Sequence, residues 1–246
     1  MRGRVSVAGL GNKGAVKAVT APPASDRRAE KIVLESAVRS DRRPVLPQPA
    51  SDSLEAERSR VLQVAAKLFR DQGFDKTTVR QIAEACDLLP GSLHYRYKSK
   101  DDILVDMMRI AIDRTIRSTV AAVAAEDEPS ARIQAAVRAH MRVLLSGDDM
   151  VYVLLFEWRA LSGDARTEIM RERDRYERHW DAMLDALRIQ GFIREDVDIH
   201  TLRLIGLGAI NWMATWYRPN GPLSIDEICD RVWTILSRGV LSEGKP

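Results

Sequence analysis

Apolar residues recur along most of this chain at intervals of three and four, the spacing that gathers them on one side of an α-helix. Val61, Val64, Ala65, Leu68 and Phe69 form one such face, Ile103, Met107 and Ile110 a second, and Leu202, Ile205, Ala209, Trp212 and Trp216 a third. No convincing stretch keeps the two-residue rhythm of a half-buried strand. Helix starts are marked too. Thr78 precedes Gln81, Ser99 precedes Asp102 and Ser224 precedes Glu227, each a hydroxyl three residues ahead of a side chain able to reach back to the cap. The pattern predicts an all-α chain with helices near 53–72, 78–86, 90–97, 100–125, 130–146, 149–161, 164–190, 198–217 and 224–241. Gly73, Gly191 and Gly221 fall between them as turn residues.

Three short helices therefore precede six longer ones, which divides the chain into a tail (1–50), a helix-turn-helix unit (51–100) and a helical bundle (101–246). Within the second unit, Ile82, Ala83, Cys86, Leu88 and Leu93 are the expected inner face of two short helices joined by a tight turn. The tail reads differently. It is rich in Ala, Gly, Ser and Arg and is broken by Pro22-Pro23, Pro44, Pro47 and Pro49, so disorder is expected, with one short amphipathic helix over Ala29–Arg39. Gly9, Gly11 and Gly14 match a dinucleotide-binding fingerprint, but Pro22-Pro23 stops the helix that must follow and no return strand can be found.

Charge sharpens this division. Residues 1–50 hold ten Lys and Arg against four acids, residues 51–100 nine against seven, and residues 101–246 nineteen against twenty-four. Only the middle block is both folded and basic, as a nucleic-acid reader would be. The longest uncharged apolar run, Leu204–Tyr217, is too short for a membrane span of roughly 20 residues. Two cysteines far apart, Cys86 and Cys229, give neither a zinc site nor a disulfide framework, which fits the cytoplasm. No metal or cofactor is expected.

The segment Leu88–Asp101, LLPGSLHYRYKSKD, crowds long polar side chains onto about two turns of chain. A helix entering the major groove needs a small residue for approach and donors beyond it. Gly91 and Ser92 supply the approach; Ser92, His94, Tyr95 and Arg96 are then the candidates to reach base edges or phosphates. Lys98 and Lys100 are placed to hold the strand alongside, and Arg80 to brace the same backbone from the preceding helix. Tyr97 falls where the helix turns back, and is expected in the core.

The run from Phe69 to Ala85, FRDQGFDKTTVRQIAEA, followed by Gly91–Lys100, GSLHYRYKSK, resembles the DNA-binding domain of TetR-type transcriptional repressors over about 50 residues. His94 stands where that family commonly has a phosphate-binding Tyr, Tyr97 where Phe is common, and Asp87 where the turn often has Gly. Asp tolerates the left-handed region better than most residues. The resemblance implies that Thr78 and Arg80 start the second helix at the DNA, and that Gly91, Ser92, His94, Tyr95 and Lys100 contact a double-stranded operator. It also implies a ligand-binding and dimerisation bundle from about residue 101. Trp216–Leu223, WYRPNGPL, further resembles a subgroup governing steroid or fatty-acyl catabolism that responds to acyl-CoA thioesters.

For such a small hydrophobic effector the candidate lining is Tyr152, Phe156, Trp180 and Trp212, with Trp158, Tyr176 and Trp216 as further aromatics. Arg142, Arg159, Asn211 and Thr215 are the candidate polar partners. His140 and His179 read as partly buried or surface residues, and Arg173–Glu177 and Asp174–Arg178 as exposed i, i+4 pairs. Leu202, Ile205, Gly206, Ala209 and Met213, with Ile228, Val232, Ile235 and Gly239, offer two apolar faces from which a two-fold homodimer could close a four-helix interface. Such a dimer would read an inverted repeat. The residues alone also admit a nicotinamide-dependent enzyme working through Gly9–Gly14, or a helical interaction protein without DNA binding, to which only His94 points. No metalloprotease motif, nucleophile elbow or phosphate-binding loop supports an enzyme.

Overall fold

The computed structural model describes residues 49–240. The tail, its candidate helix and Gly9–Gly14 lie outside the described residues. The elements are α1 (Pro49–Gln72), α2 (Val79–Ala85), α3 (Pro90–Arg96), α4 (Lys100–Ala124), α5 (Pro129–Leu144), α6 (Asp149–Phe156), a 3-10 turn (Trp158–Ala160), α7 (Gly163–Ile189), α8 (Ile199–Trp216) and α9 (Ile225–Val240). There is no strand among the described residues. The architecture is thus all-helical, three N-terminal helices followed by a six-helix bundle.

Each of the three cap signals forms. The Thr78 hydroxyl accepts from the Gln81 N–H at 3.2 Å while Gln81 Oε1 accepts from the Thr78 N–H at 2.8 Å, and Ser99 with Asp102 and Ser224 with Glu227 repeat the arrangement. Between α2 and α3 the chain reverses at Asp87, whose φ of 54° lies in the left-handed region. Its carboxylate accepts from Arg60 on α1 at 2.8 Å, so the turn is tied down by its own side chain. Phe69, Ile82, Ala83, Leu93 and Tyr97 fill the space between these helices.

Two boundaries differ from the sequence pattern. Pro49 opens α1 instead of breaking the chain; its fixed φ and missing N–H cost nothing in a first turn. The helix expected over 149–161 ends at Phe156. There the bonds tighten to Ala160 N–H with Glu157 O and Leu161 N–H with Trp158 O, which carries Leu161 into the core. Trp158 and Arg159 are left on the rim of a cavity.

α4 runs unbroken from the helix-turn-helix unit into the bundle, against α1 at its start and α5, α6 and α7 beyond. The junction is polar. Arg58 Nε donates to Asp106 at 2.9 Å, and the Tyr97 hydroxyl donates to the same carboxylate at 2.7 Å. Burial works to raise the Asp106 pKa, and Arg58 and Tyr97 outweigh it, holding the carboxyl below its ordinary range. α6 packs on both α1 and α4, and α9 covers α5.

Candidate functional site

The helix-turn-helix unit presents one set of polar side chains outward. On α3, Leu93 is buried and fixes the rotation of the helix, so Gly91, Ser92, His94 and Tyr95 are exposed, Tyr95 to 95%. The side chains of Ser92, His94, Tyr95 and Lys98 make no hydrogen bond or ion pair among the described residues, and are free to meet a partner. Thr78 and Arg80 are exposed at the start of α2, with Arg80 Nε donating to Glu84 at 2.7 Å.

Two candidates are turned elsewhere. Arg96 donates to the Leu54 carbonyl at 3.3 Å and pairs with Glu57 at 3.2 Å, both on α1. Lys100 donates to the carbonyl oxygens of Phe74 at 2.7 Å and of Asp75 and Thr77 at 3.2 Å. Its three protons are taken up holding the α1–α2 loop. Arg96 ends α3 and Lys100 opens α4, but sequence spacing could not show which acceptors they find within the fold.

A cavity of about 380 Å³ lies inside the bundle, walled by α4, α5, α6, α7 and α8. Phe156, Arg159, Asn211, Trp212 and Thr215 line it. Tyr152 and Trp180 do not. Tyr152 sits one turn before Phe156, its ring 4.6 Å from that ring, but faces α1, where the Arg70 guanidinium covers it at 5.0 Å. Trp180 is core, and belongs to the wall of a small, wholly apolar cleft between α5, α7, α8 and α9. Arg142, on the outer surface, pairs with Asp226 instead.

Much of the cavity's polarity comes from residues that the sequence reading placed elsewhere, His140 as partly buried or surface and Glu177 in an exposed pair. His140 is buried; its Nδ1 lies 2.6 Å from the Tyr176 hydroxyl and its Nε2 3.3 Å from Asn211 Oδ1. Burial lowers its pKa to about 4, against the opposing pull of Asn211. The Arg173–Glu177 surface pair does not form. Glu177 instead accepts from Arg203 at 2.6 Å, Asp181 does the same, and Arg203 is only 5% exposed. Arg173 is left over the Trp158 ring at 4.6 Å, joined there by Arg159 at 5.0 Å and Arg166 at 5.3 Å. None of these three guanidiniums has a carboxylate partner among the described residues.

Residues 61–107 match the family described as bacterial regulatory proteins, tetR family, and residues 126–240 match the tetracyclin repressor-like C-terminal domain. The chain belongs to the TetR family. Among its relatives, the HTH-type transcriptional repressor KstR2 of Rhodococcus jostii (strain RHA1) is 28% identical over 200 residues, covering 80% of this chain and 98% of that protein. The superantigen PfiT is similar at 32% identity and a TM-score of 0.66, covering 77% of this chain and 98% of that one. AibR, solved in complex with isovaleryl coenzyme A and operator DNA, is similar at 25% identity and a TM-score of 0.66, covering 73% and 97%. The curated relatives that span most of this chain are named as transcriptional repressors or regulators.

An apolar surface is exposed on the last two described helices. Leu204, Ile205, Trp212 and Trp216 on α8 and Ile235 on α9 are exposed, Ile205 to 66% and Ile235 to 74%. Ile228, expected on that face, is buried against the bundle. Trp212 and Leu204 belong both to the exposed face and to the cavity rim. No described helix is long and apolar enough to cross a membrane, and no cluster of His, Cys, Asp or Glu among the described residues could hold a metal.

Proposed function

We propose that this protein is a ligand-responsive transcriptional repressor that grips an inverted-repeat operator as a homodimer and is released by a hydrophobic acyl-CoA. Residues 51–100 are the reading unit and residues 101–246 the effector and dimerisation unit, with the chain working in the cytoplasm, where its DNA is. The observation that carries the effector class is the pairing of a largely apolar cavity with three uncommitted guanidiniums at one end of it, Arg159, Arg166 and Arg173 around Trp158. An acyl chain fits the first and the phosphates of coenzyme A the second. The resemblance to AibR, which binds isovaleryl coenzyme A, supports the same class.

At the other end of the molecule, Gly91, Ser92, His94 and Tyr95 on α3 enter the major groove, while Thr78, Arg80 and Lys98 meet backbone phosphates. The exposed stripe on α8 and α9 pairs with its copy across a two-fold axis, setting the spacing of the two reading helices. α6 couples the sites. Val151, Leu154, Leu155 and Phe156 wall the cavity, and Asp149 on the same helix accepts from Arg70 on α1 at 2.7 Å. A ligand that pushes on one side of α6 thus pulls on the reading unit from the other.

Mobility-shift measurements on DNA from beside the protein's own gene, with and without a series of acyl-CoA thioesters, test the reading. Effector should weaken operator binding by about 5–150-fold, the range of ordinary allosteric coupling. Operator binding indifferent to every thioester would end the acyl-CoA assignment while leaving the regulator intact.

A further inference from the structure

The polar groups of the cavity are wired in a fixed direction. Tyr176 is held protonated by burial, which pushes its hydroxyl well above the usual tyrosine range. Its proton therefore goes to His140 Nδ1, 2.6 Å away. A neutral imidazole that accepts at Nδ1 carries its own proton at Nε2, and that nitrogen faces Asn211 Oδ1 at 3.3 Å. The assignment settles which end of the Asn211 amide is which, because a ring N–H must face the oxygen. The Asn211 nitrogen is what remains. It has no acceptor among the described residues, and Asn211 is part of the cavity wall.

From this chain of donors we infer that Asn211 reads a carbonyl oxygen of the effector inside the cavity, with Tyr176 and His140 as positioning residues that keep its N–H groups turned toward the ligand. The inference rests on the thioester reading above and adds a requirement to it: a purely alkyl occupant leaves the amide without an acceptor, whereas a carbonyl completes the chain. Arg159 and Arg173 stand at the Trp158 end of the cavity, and the other polar groups near Asn211 are committed. The Thr115 hydroxyl is committed to the Ala111 carbonyl at 2.8 Å, and Glu177 and Arg203 to each other. A thioester carbonyl and a keto group on the acyl body share the chemistry that Asn211 recognises.

Three probes of similar bulk separate the sources on the full chain by titration calorimetry: decanoyl-CoA, its S-decyl-CoA thioether, which lacks the carbonyl, and an oxo-substituted decanoyl-CoA. The cavity holds roughly a dozen water-sized groups at about 30 Å³ each, so a chain of this length fills it. Tighter binding of decanoyl-CoA than of the thioether, by about tenfold, assigns the thioester carbonyl to Asn211. Equal binding of those two with tighter binding of the oxo compound assigns a carbonyl on the acyl body. In Asn211→Asp, which puts a carboxylate oxygen where the donor was, the preference should vanish. In Tyr176→Phe it should shrink as His140 is freed to reverse its tautomer. No preference in the wild type, or a preference that survives both substitutions, overturns the inference and leaves the thioester reading standing. Failure of all three probes to bind removes that reading and the inference together, and because the wild-type comparison needs no variant, poor folding of either mutant cannot mask the result.

Discussion

The Lys100 ammonium donates to the Phe74 carbonyl oxygen at 2.7 Å and lies 4.2 Å from the centre of the same residue's ring, so one cation at the start of α4 closes the α1–α2 loop. Lys98, two residues earlier, is exposed and unpartnered. The two lysines should fail in different ways. Lys100→Ala is expected to cost about 1–3 kcal/mol of stability, seen as a lower Tm, with the salt dependence of operator binding unchanged. Lys98→Ala should leave Tm alone and flatten the log–log salt dependence by about 0.9, one lost phosphate contact. Interchanged results would reverse the two roles.

Tyr95 is the most exposed aromatic of the reading helix and touches nothing that holds the fold together. Tyr95→Ala should weaken operator binding about tenfold or more, a loss of roughly 1–3 kcal/mol, with Tm within a degree or so of wild type. Parallel mobility-shift and melting curves decide it; unchanged DNA affinity removes Tyr95 from the interface.

Ile205 and Ile235 should lie at the centre of the two-fold contact. A charge on each, Ile205→Asp with Ile235→Asp, places carboxylates opposite their own copies in an apolar seam. Light scattering should then report a monomer of 27.7 kDa, half the mass expected for wild type, with helical content retained. A variant that still dimerises would move the interface off this face.

Arg70 touches α6 twice, through Asp149 at 2.7 Å and over the Tyr152 ring at 5.0 Å, and α6 is also a wall of the cavity. Arg70→Ala should leave effector binding to the isolated protein near wild type and reduce the effector's influence on operator affinity severalfold. Both affinities are read from one set of titrations, with and without DNA. An undiminished effector response would route the coupling through α4 alone.

His140 makes stability depend on pH. Its folded pKa, about 4, lies below the ordinary value of 6.5, so between these limits the unfolded chain binds a proton that the folded chain refuses. The contribution is fully present above 6.5 and is lost as pH falls toward 4, at about 1.4 kcal/mol per pH unit. His179, also lowered by burial, acts with the same sign. Denaturant titrations from pH 7 to pH 4.5 should show a shallower slope in His140→Gln than in wild type. Parallel slopes would mean that His140 is protonated in the folded chain.

The helical periodicities and the three capping boxes were legible because they depend on neighbours three or four residues away, and the fold honours them. Asp87 was legible through the family resemblance, which sets it where the turn often has Gly, and its φ of 54° is one that few side chains tolerate. The fate of a long cation was not. Lys100 and Lys98 look alike in sequence, and only the approach of the Phe74, Asp75 and Thr77 carbonyls, some 25 residues away, separates them. Glu177 likewise has Arg173 at ideal helical spacing but is drawn to Arg203 on the next helix, where burial strengthens the pair. His140 carried no local signal at all, because its partners Tyr176 and Asn211 come from two other helices.

The unbroken course of α4 has a mechanical consequence. Its 25 residues at 1.5 Å each make a rod of about 37 Å, with Ile112 and Thr115 at its middle on the cavity wall and its first residue, about 20 Å away, at the helix-turn-helix unit. A pivot of about 5° at the cavity swings the N-terminal end by about 2 Å, and in the proposed dimer a symmetric pair of such rods changes the distance between their tips by up to about 4 Å. That is close to one base-pair step of duplex, about 3.4 Å. An effector need not unfold or displace anything in the reading unit to spoil its fit; it needs only to alter the leverage of two long struts whose feet must land in successive grooves.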